Sequence, residues 1–120
     1  MSNYTIFHNP RCSKSRQTLA LLEENGIEPE IRLYLENPPA TAELKALLSQ
    51  LGIEARSLLR KSEDEYKSLK LCDKSLSDAV LIEAMANHPR LIERPIVTRT
   101  NGTERRSVLG RPPENVLDIL

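Results

Sequence analysis

Nine residues constrain this chain more than any others: His8-Asn9-Pro10-Arg11-Cys12-Ser13-Lys14-Ser15-Arg16. A short strand-like run, Tyr4-Thr5-Ile6-Phe7, precedes them, and a helix-like run through Leu19, Ala20, Leu21 and Leu22 follows. Cys12 therefore falls on a strand-to-helix turn, just before the first helical residues. The N–H groups at a helix start are unpaired donors carrying partial positive charge. Such a setting lowers a thiol's pKa, typically to about 3.5–7.5, and the same donors can hold an oxyanion. His8, Arg11, Lys14 and Arg16 add cationic neighbours. The simpler alternative, a small structural Cys on a polar loop, does not explain four basic or titratable neighbours.

Around this turn the sequence builds strand, helix, strand. The first strand is expected to be central in its sheet. The first helix should run from Ser13 to about Asn25, with Gly26 as its stop. Ile31, Leu33 and Leu35 alternate with Arg32 and Tyr34, which predicts a second strand ended by Asn37-Pro38-Pro39. This spacing implies a parallel pair joined by a crossover helix. From about 41 to 88 only helices are expected. Thr41 should cap one carrying Leu44, Leu47, Leu48 and Leu51, Gly52 ends it, and Ser77 should cap another that Pro89 stops. Then Pro95–Thr98 and Arg106–Leu109 read as a hairpin turned at Asn101-Gly102. Pro112-Pro113 should open a last helix carrying Val116, Leu117 and Leu120. The class is α/β, one domain over residues 1–120, with a mixed sheet and a helical insert at about 41–88.

Composition narrows the function. Seventeen basic and 17 acidic residues cancel, so no global field steers nucleic acid or an acidic membrane. There is no long apolar run and no targeting start, and the chain reads as cytoplasmic and monomeric. Cys12 and Cys72 lie too far apart for a zinc pattern, and two scattered His add no ligand set. No Gly-rich phosphate loop is present. Neither a metal nor a bound cofactor is expected. Cys72 reads as a bystander rather than a resolving thiol, and His88 as structural.

Three arginines stand at element boundaries where they could serve Cys12: Arg60, Arg94 and Arg111. A guanidinium presents a planar fork that matches an oxyanion bidentately. A thiolate attacking an anion needs such charge in its transition state. The spacing also excludes a phosphatase loop, which wants Arg six positions after the Cys, where Thr18 stands. Cys12-x-x-Ser15 is instead like a redox Cys-x-x-Cys lacking its second thiol, so an external thiol must resolve any adduct.

The motif His8-Asn9-Pro10-x-Cys12-x-x-Ser15-Arg16 resembles the active-site loop of the glutaredoxin-dependent arsenate reductases. The likeness continues through Tyr34–Pro39, Leu58-Leu59-Arg60-Lys61, His88-Pro89, Arg94–Val97 and Gly110–Glu114. It implies a thioredoxin-like fold with a mixed four-stranded sheet and a helical insert. It implies Cys12 as nucleophile, His8 helping to ionise it, and Arg60, Arg94 and Arg111 binding arsenate and its thiol adduct. Ser15, Arg16 and Pro95 take supporting places, with Pro95 matching a cis-proline that faces the Cys. Glutathione as co-substrate and glutaredoxin as reductant come from the resemblance alone. Two departures stand out. Ser13-Lys14 replaces Gly-Thr after the Cys, a form similar to a branch of reductase-like proteins. The stretch from Thr98 to Leu109 looks long, leaving Arg105 and Arg106 as rivals to Arg111. A redox-linked regulator that binds RNA polymerase, and a general glutathione-linked thiol oxidoreductase, are the alternative functions.

Overall fold

A computed structural model describes residues 2–120 as two compact units. The first comprises the residues up to Asn37 together with Arg94–Leu120, and the second is Pro38–Glu93.

The first unit is built on a sheet of four strands, β1 (Ser2–Phe7), β2 (Glu30–Arg32), β3 (Ile96–Asn101) and β4 (Glu104–Leu109). Their order is β2-β1-β3-β4. β1 lies parallel to β2 and antiparallel to β3, and β3 is antiparallel to β4. The sheet is mixed, with β1 inside it. Alternation puts Ile6, Val97 and Val108 opposite one another on one face. On that face Ile6 and Val97 pack with Leu22 of α1 (Ser13–Glu24) and with Val116 and Ile119 near the C-terminus. Burying each large aliphatic chain contributes about 1.5–3 kcal/mol, so this cluster fixes where α1 starts relative to the strand ends.

Three expectations are corrected here. β2 stops at Arg32 and does not continue to Leu35. Its partner β1 ends at Phe7, and the last rung is the bond from His8 N–H to the Arg32 carbonyl, at 2.8 Å. Beyond that the chain closes a turn, with the Glu36 and Asn37 N–H groups donating to the Leu33 carbonyl. The alternating leucines therefore do not share a face: Tyr34 is buried, while Ile31 and Leu35 are exposed. The C-terminal segment Pro113–Ile119 is a 3-10 helix rather than an α-helix. The stretch Thr98–Leu109 is no long loop. It is paired throughout, with Asn101 opposite Glu104 and Gly102 at φ +65° in the two-residue turn.

The second unit is helical: α2 (Thr41–Leu51), α3 (Ala55–Leu58), α4 (Asp64–Ser68), α5 (Asp78–Asn87) and a 3-10 turn, Pro89–Leu91. Leu44, Leu47 and Leu48 are the buried stripe of α2. Thr41 is the first helical residue of α2 and not its cap. That place falls to Ala40, whose side chain offers no acceptor. Ser77 does cap α5, its Oγ accepting from the Val80 N–H. An isolated bridge between Leu59 and Ile92, flanked by bonds from Arg60 N–H to Leu91 O and from Glu93 N–H to Leu58 O, ties the segment after α3 to the end of this unit.

Candidate active site

Cys12 is the N-cap residue of α1. The turn that delivers it is closed by its own N–H, which donates to the Asn9 carbonyl at 3.0 Å, and by Arg11 N–H, which donates to Asn9 Oδ1 at 3.0 Å. The helix carries no acidic residue in its first turn. Lys14 and Arg16 add positive charge where a helix is stabilised by negative charge. The sequence thus leaves an uncompensated positive end beside the thiol.

The half-buried thiol of Cys12 faces the N–H groups of Lys14 and Ser15 without closing a full capping bond. Burial pushes its pKa up. The Ser15 N–H, the Arg94 guanidinium (as donor and as charge) and the Lys14 N–H push it down, and together they prevail. Arg111 approaches from a position 99 residues away, its Nη1 4.0 Å from Cys12 Sγ and 3.2 Å from the Arg94 carbonyl oxygen. Cys12, Arg94 and Arg111 thus converge.

His8 and Ser15 lie behind the thiol as a buried pair. Ser15 Oγ accepts the Asn9 N–H at 3.0 Å and lies 2.6 Å from His8 Nδ1. With the hydroxyl donating to Nδ1, all three groups are satisfied and the ring proton sits on Nε2. Burial, and then the charge of Arg16, hold the His8 pKa below its ordinary value. Both causes favour the neutral ring over the cationic one that the sequence suggests. The ring contacts Ser15, the residue whose N–H faces the thiol. Arg16 also turns away: its Nη1 donates to the Pro10 carbonyl at 2.8 Å.

The remaining candidates are placed as follows. The Arg94–Pro95 bond is cis, as expected, and so is Arg111–Pro112. Pro95 is buried, and its carbonyl accepts the Gly110 N–H at 2.8 Å. Arg105 and Arg106 are exposed on β4, paired across to Thr100 and Arg99 near the hairpin turn, so Arg111 is the one of the three brought to Cys12. Arg60 belongs to the second unit, where its Nη1 donates to Glu93 Oε1 at 2.7 Å. Cys72 is exposed in that unit. Among the described residues, no three His, Cys, Asp or Glu gather to hold a metal, and no helix is long and apolar enough to cross a membrane.

Sequence reasoning missed two residues at this site. Thr18 is fully buried on α1, and its Oγ1 donates to the Lys14 carbonyl at 2.8 Å with the Gly110 carbonyl at 3.3 Å. Asn115 gives both amide hydrogens to main-chain carbonyls, those of Leu109 and Arg111. Both stand among other polar residues of their helices, and nothing in the sequence singles them out.

Known proteins are similar to this chain along nearly its whole length. The ArsC family matches residues 7–119. The Escherichia coli K12 protein named "Uncharacterized protein YfgD" is 58% identical over 116 residues, which cover 96% of this chain and 94% of that protein. A Haemophilus influenzae protein named "Arsenate reductase" is 50% identical over 116 residues, covering 96% and 97% respectively. The solved structure titled "Arsenate reductase from Vibrio cholerae" superposes with a TM-score of 0.91 at 55% identity, covering 98% of each chain. The mixed four-stranded sheet with its helices is a thioredoxin-like fold, as in those structures. With the family matching at this extent and these identities, the chain belongs to the ArsC family.

Proposed function

We propose that this protein reduces arsenate to arsenite through Cys12. One observation carries the reading: a thiol of lowered pKa at an open helix N-terminus, with the Arg94 and Arg111 guanidinium groups beside it. Relatives named arsenate reductase support it. The Cys12 thiolate attacks arsenic(V), forming an S–As bond and expelling one oxygen as water after protonation. Arg94 and Arg111 oppose the negative charge on the arsenate oxygens. A glutathione thiolate then attacks Cys12 Sγ. The S–As bonding pair leaves with arsenic, which becomes arsenite, and a Cys12–glutathione disulfide remains. Two electrons have passed from two thiolates to one arsenic. Glutaredoxin returns Cys12 to the thiol by thiol–disulfide exchange. Because Ser15 stands where a second thiol could have stood, and its hydroxyl is committed to His8 and Asn9, the resolving thiol comes from outside.

The test is an assay of the purified protein with arsenate, glutathione and glutaredoxin, omitting each in turn. Arsenite should form over many turnovers only with all components present, and without glutaredoxin it should stop at about one equivalent per enzyme. Equal turnover after Cys12→Ser overturns the mechanism. Absence of arsenite, with reduction of glutathionylated proteins instead, assigns the site to general thiol exchange.

A further inference from the structure

We propose that Asn115 is a positioning residue for Arg111. β4 ends at Leu109, and the arginine follows on Gly110-Arg111-Pro112, a segment with no ladder partner of its own. An exposed arginine on such a segment would sample many rotamers. Four main-chain groups are tied down instead. Gly110 N–H donates to Pro95 O at 2.8 Å, and Thr18 Oγ1 lies 3.3 Å from Gly110 O. Asn115 Nδ2 then bridges the carbonyls on either side of the glycine, Leu109 O at 3.2 Å and Arg111 O at 3.1 Å. A primary amide has two hydrogens, and here both are spent on the segment that launches Arg111. Asn115 is itself anchored, its N–H donating to Pro112 O at 3.0 Å, between the buried Pro113 and Val116. The amide sets the direction in which Arg111 leaves the backbone, and so keeps Nη1 at Cys12 Sγ and the Arg94 carbonyl.

The inference rests on the arsenate reading for the purpose of Arg111, but its geometry can be tested without arsenate. Cys12 is alkylated with iodoacetate, an anion, and with neutral iodoacetamide, in the Cys72→Ser background. A guanidinium held at the thiol favours the anion, so the ratio of the two rates reports Arg111. Arg111→Ala should lower the ratio about fivefold, the effect of one unit charge at about 4 Å in water. Asn115→Ala should lower it by a similar factor, and the double variant should be no lower than Arg111→Ala alone. Should Asn115→Ala fail to fold, Asn115→Leu keeps the side-chain volume and removes both donors. An unchanged ratio in a folded Asn115 variant, or losses that add in the double variant, overturns the proposal. Arsenate turnover is measured in parallel. A wild-type protein that shows the charge-dependent ratio but reduces no arsenate refutes the proposed function and leaves the positioning role standing.

Discussion

Arg111 leans on Arg94: its Nη1 donates to the Arg94 main-chain carbonyl at 3.2 Å while lying 4.0 Å from the Cys12 sulfur. One guanidinium therefore rests on the backbone of the residue that supplies the other, and both guanidinium groups face the same sulfur. Arg94→Ala and Arg111→Ala should each cut arsenate turnover, by about 10²–10³ as for loss of an oxyanion-stabilising donor. Their double variant should lose less than the product of the single losses. Lys at either place keeps charge but not the fork and should fall between. Arg105→Ala and Arg106→Ala, on exposed β4, should leave turnover near wild type. Steady-state kinetics with thermal melts checks all of these.

Arg60 is tested in the same assay. Its guanidinium is paired with Glu93 at 2.7 Å inside the second unit. Glu93→Gln leaves the arginine in place without its counter-charge, whereas Arg60→Ala removes it. If Arg60 handles arsenate, Arg60→Ala should lower turnover strongly, and Glu93→Gln should lower it less.

Cys12 ionisation sets the pH dependence. A thiol whose folded pKa is lowered is already thiolate at a pH where an ordinary thiol, near about 8.5, is still protonated. Alkylation by iodoacetamide should therefore rise with pH and level off below the ordinary thiol range. Arg94→Ala removes a donor and a charge and should move the midpoint up. By linkage, the thiolate's contribution to stability is full above the unfolded pKa and is lost as pH falls through the folded one. The profile is read in the Cys72→Ser background, because Cys72 is an exposed thiol, and there Cys12→Ser should abolish it.

Ser15→Ala removes the acceptor of the Asn9 N–H and the partner of His8 Nδ1 in a fully buried place. Leaving such groups unpaired costs about 1–3 kcal/mol. Urea unfolding should report that loss, and the thiol midpoint should rise because Ser15 N–H is no longer held toward Sγ. His8→Ala should reproduce the midpoint change only in part, since it leaves the Ser15 hydroxyl to accept from Asn9 N–H.

Gly110→Ala tests the close approach of α1, Pro95 and the Arg111 segment. A Cβ at 110 would stand 2.5 Å from Thr18 Oγ1 and 2.8 Å from Pro95 Cγ. Neither can move without disturbing α1 or the cis bond's ring, so overpacking of about 1–3 kcal/mol is expected. A melting temperature equal to wild type would show that the approach is looser than described.

Patterning carried much of this in the sequence. The Cys12 turn, the leucine stripe of α2, the Ser77 cap and the Asn101-Gly102 hairpin were each legible because one local rule sufficed. The failures share a cause. β2 stops where β1 runs out of partners, which no pattern inside residues 31–35 can reveal. His8 is held toward its neutral form by burial and by Arg16, and burial is not written in a basic residue's identity. Asn115 and Thr18 matter through main-chain carbonyls that only the tertiary fold brings to them.

The separation of Cys12 and Arg111 by 99 positions has a consequence for the life of the chain. The thiol emerges in synthesis well before β3 and β4, the strands that Arg94 and Arg111 flank. Until the C-terminal hairpin pairs with β1, neither Arg94 nor Arg111 is beside the sulfur, and the unfolded chain presents an unassisted thiol. Chemical readiness thus arrives last, together with the closing of the sheet, and the acidity of a single sulfur serves as a built-in gauge of completed folding.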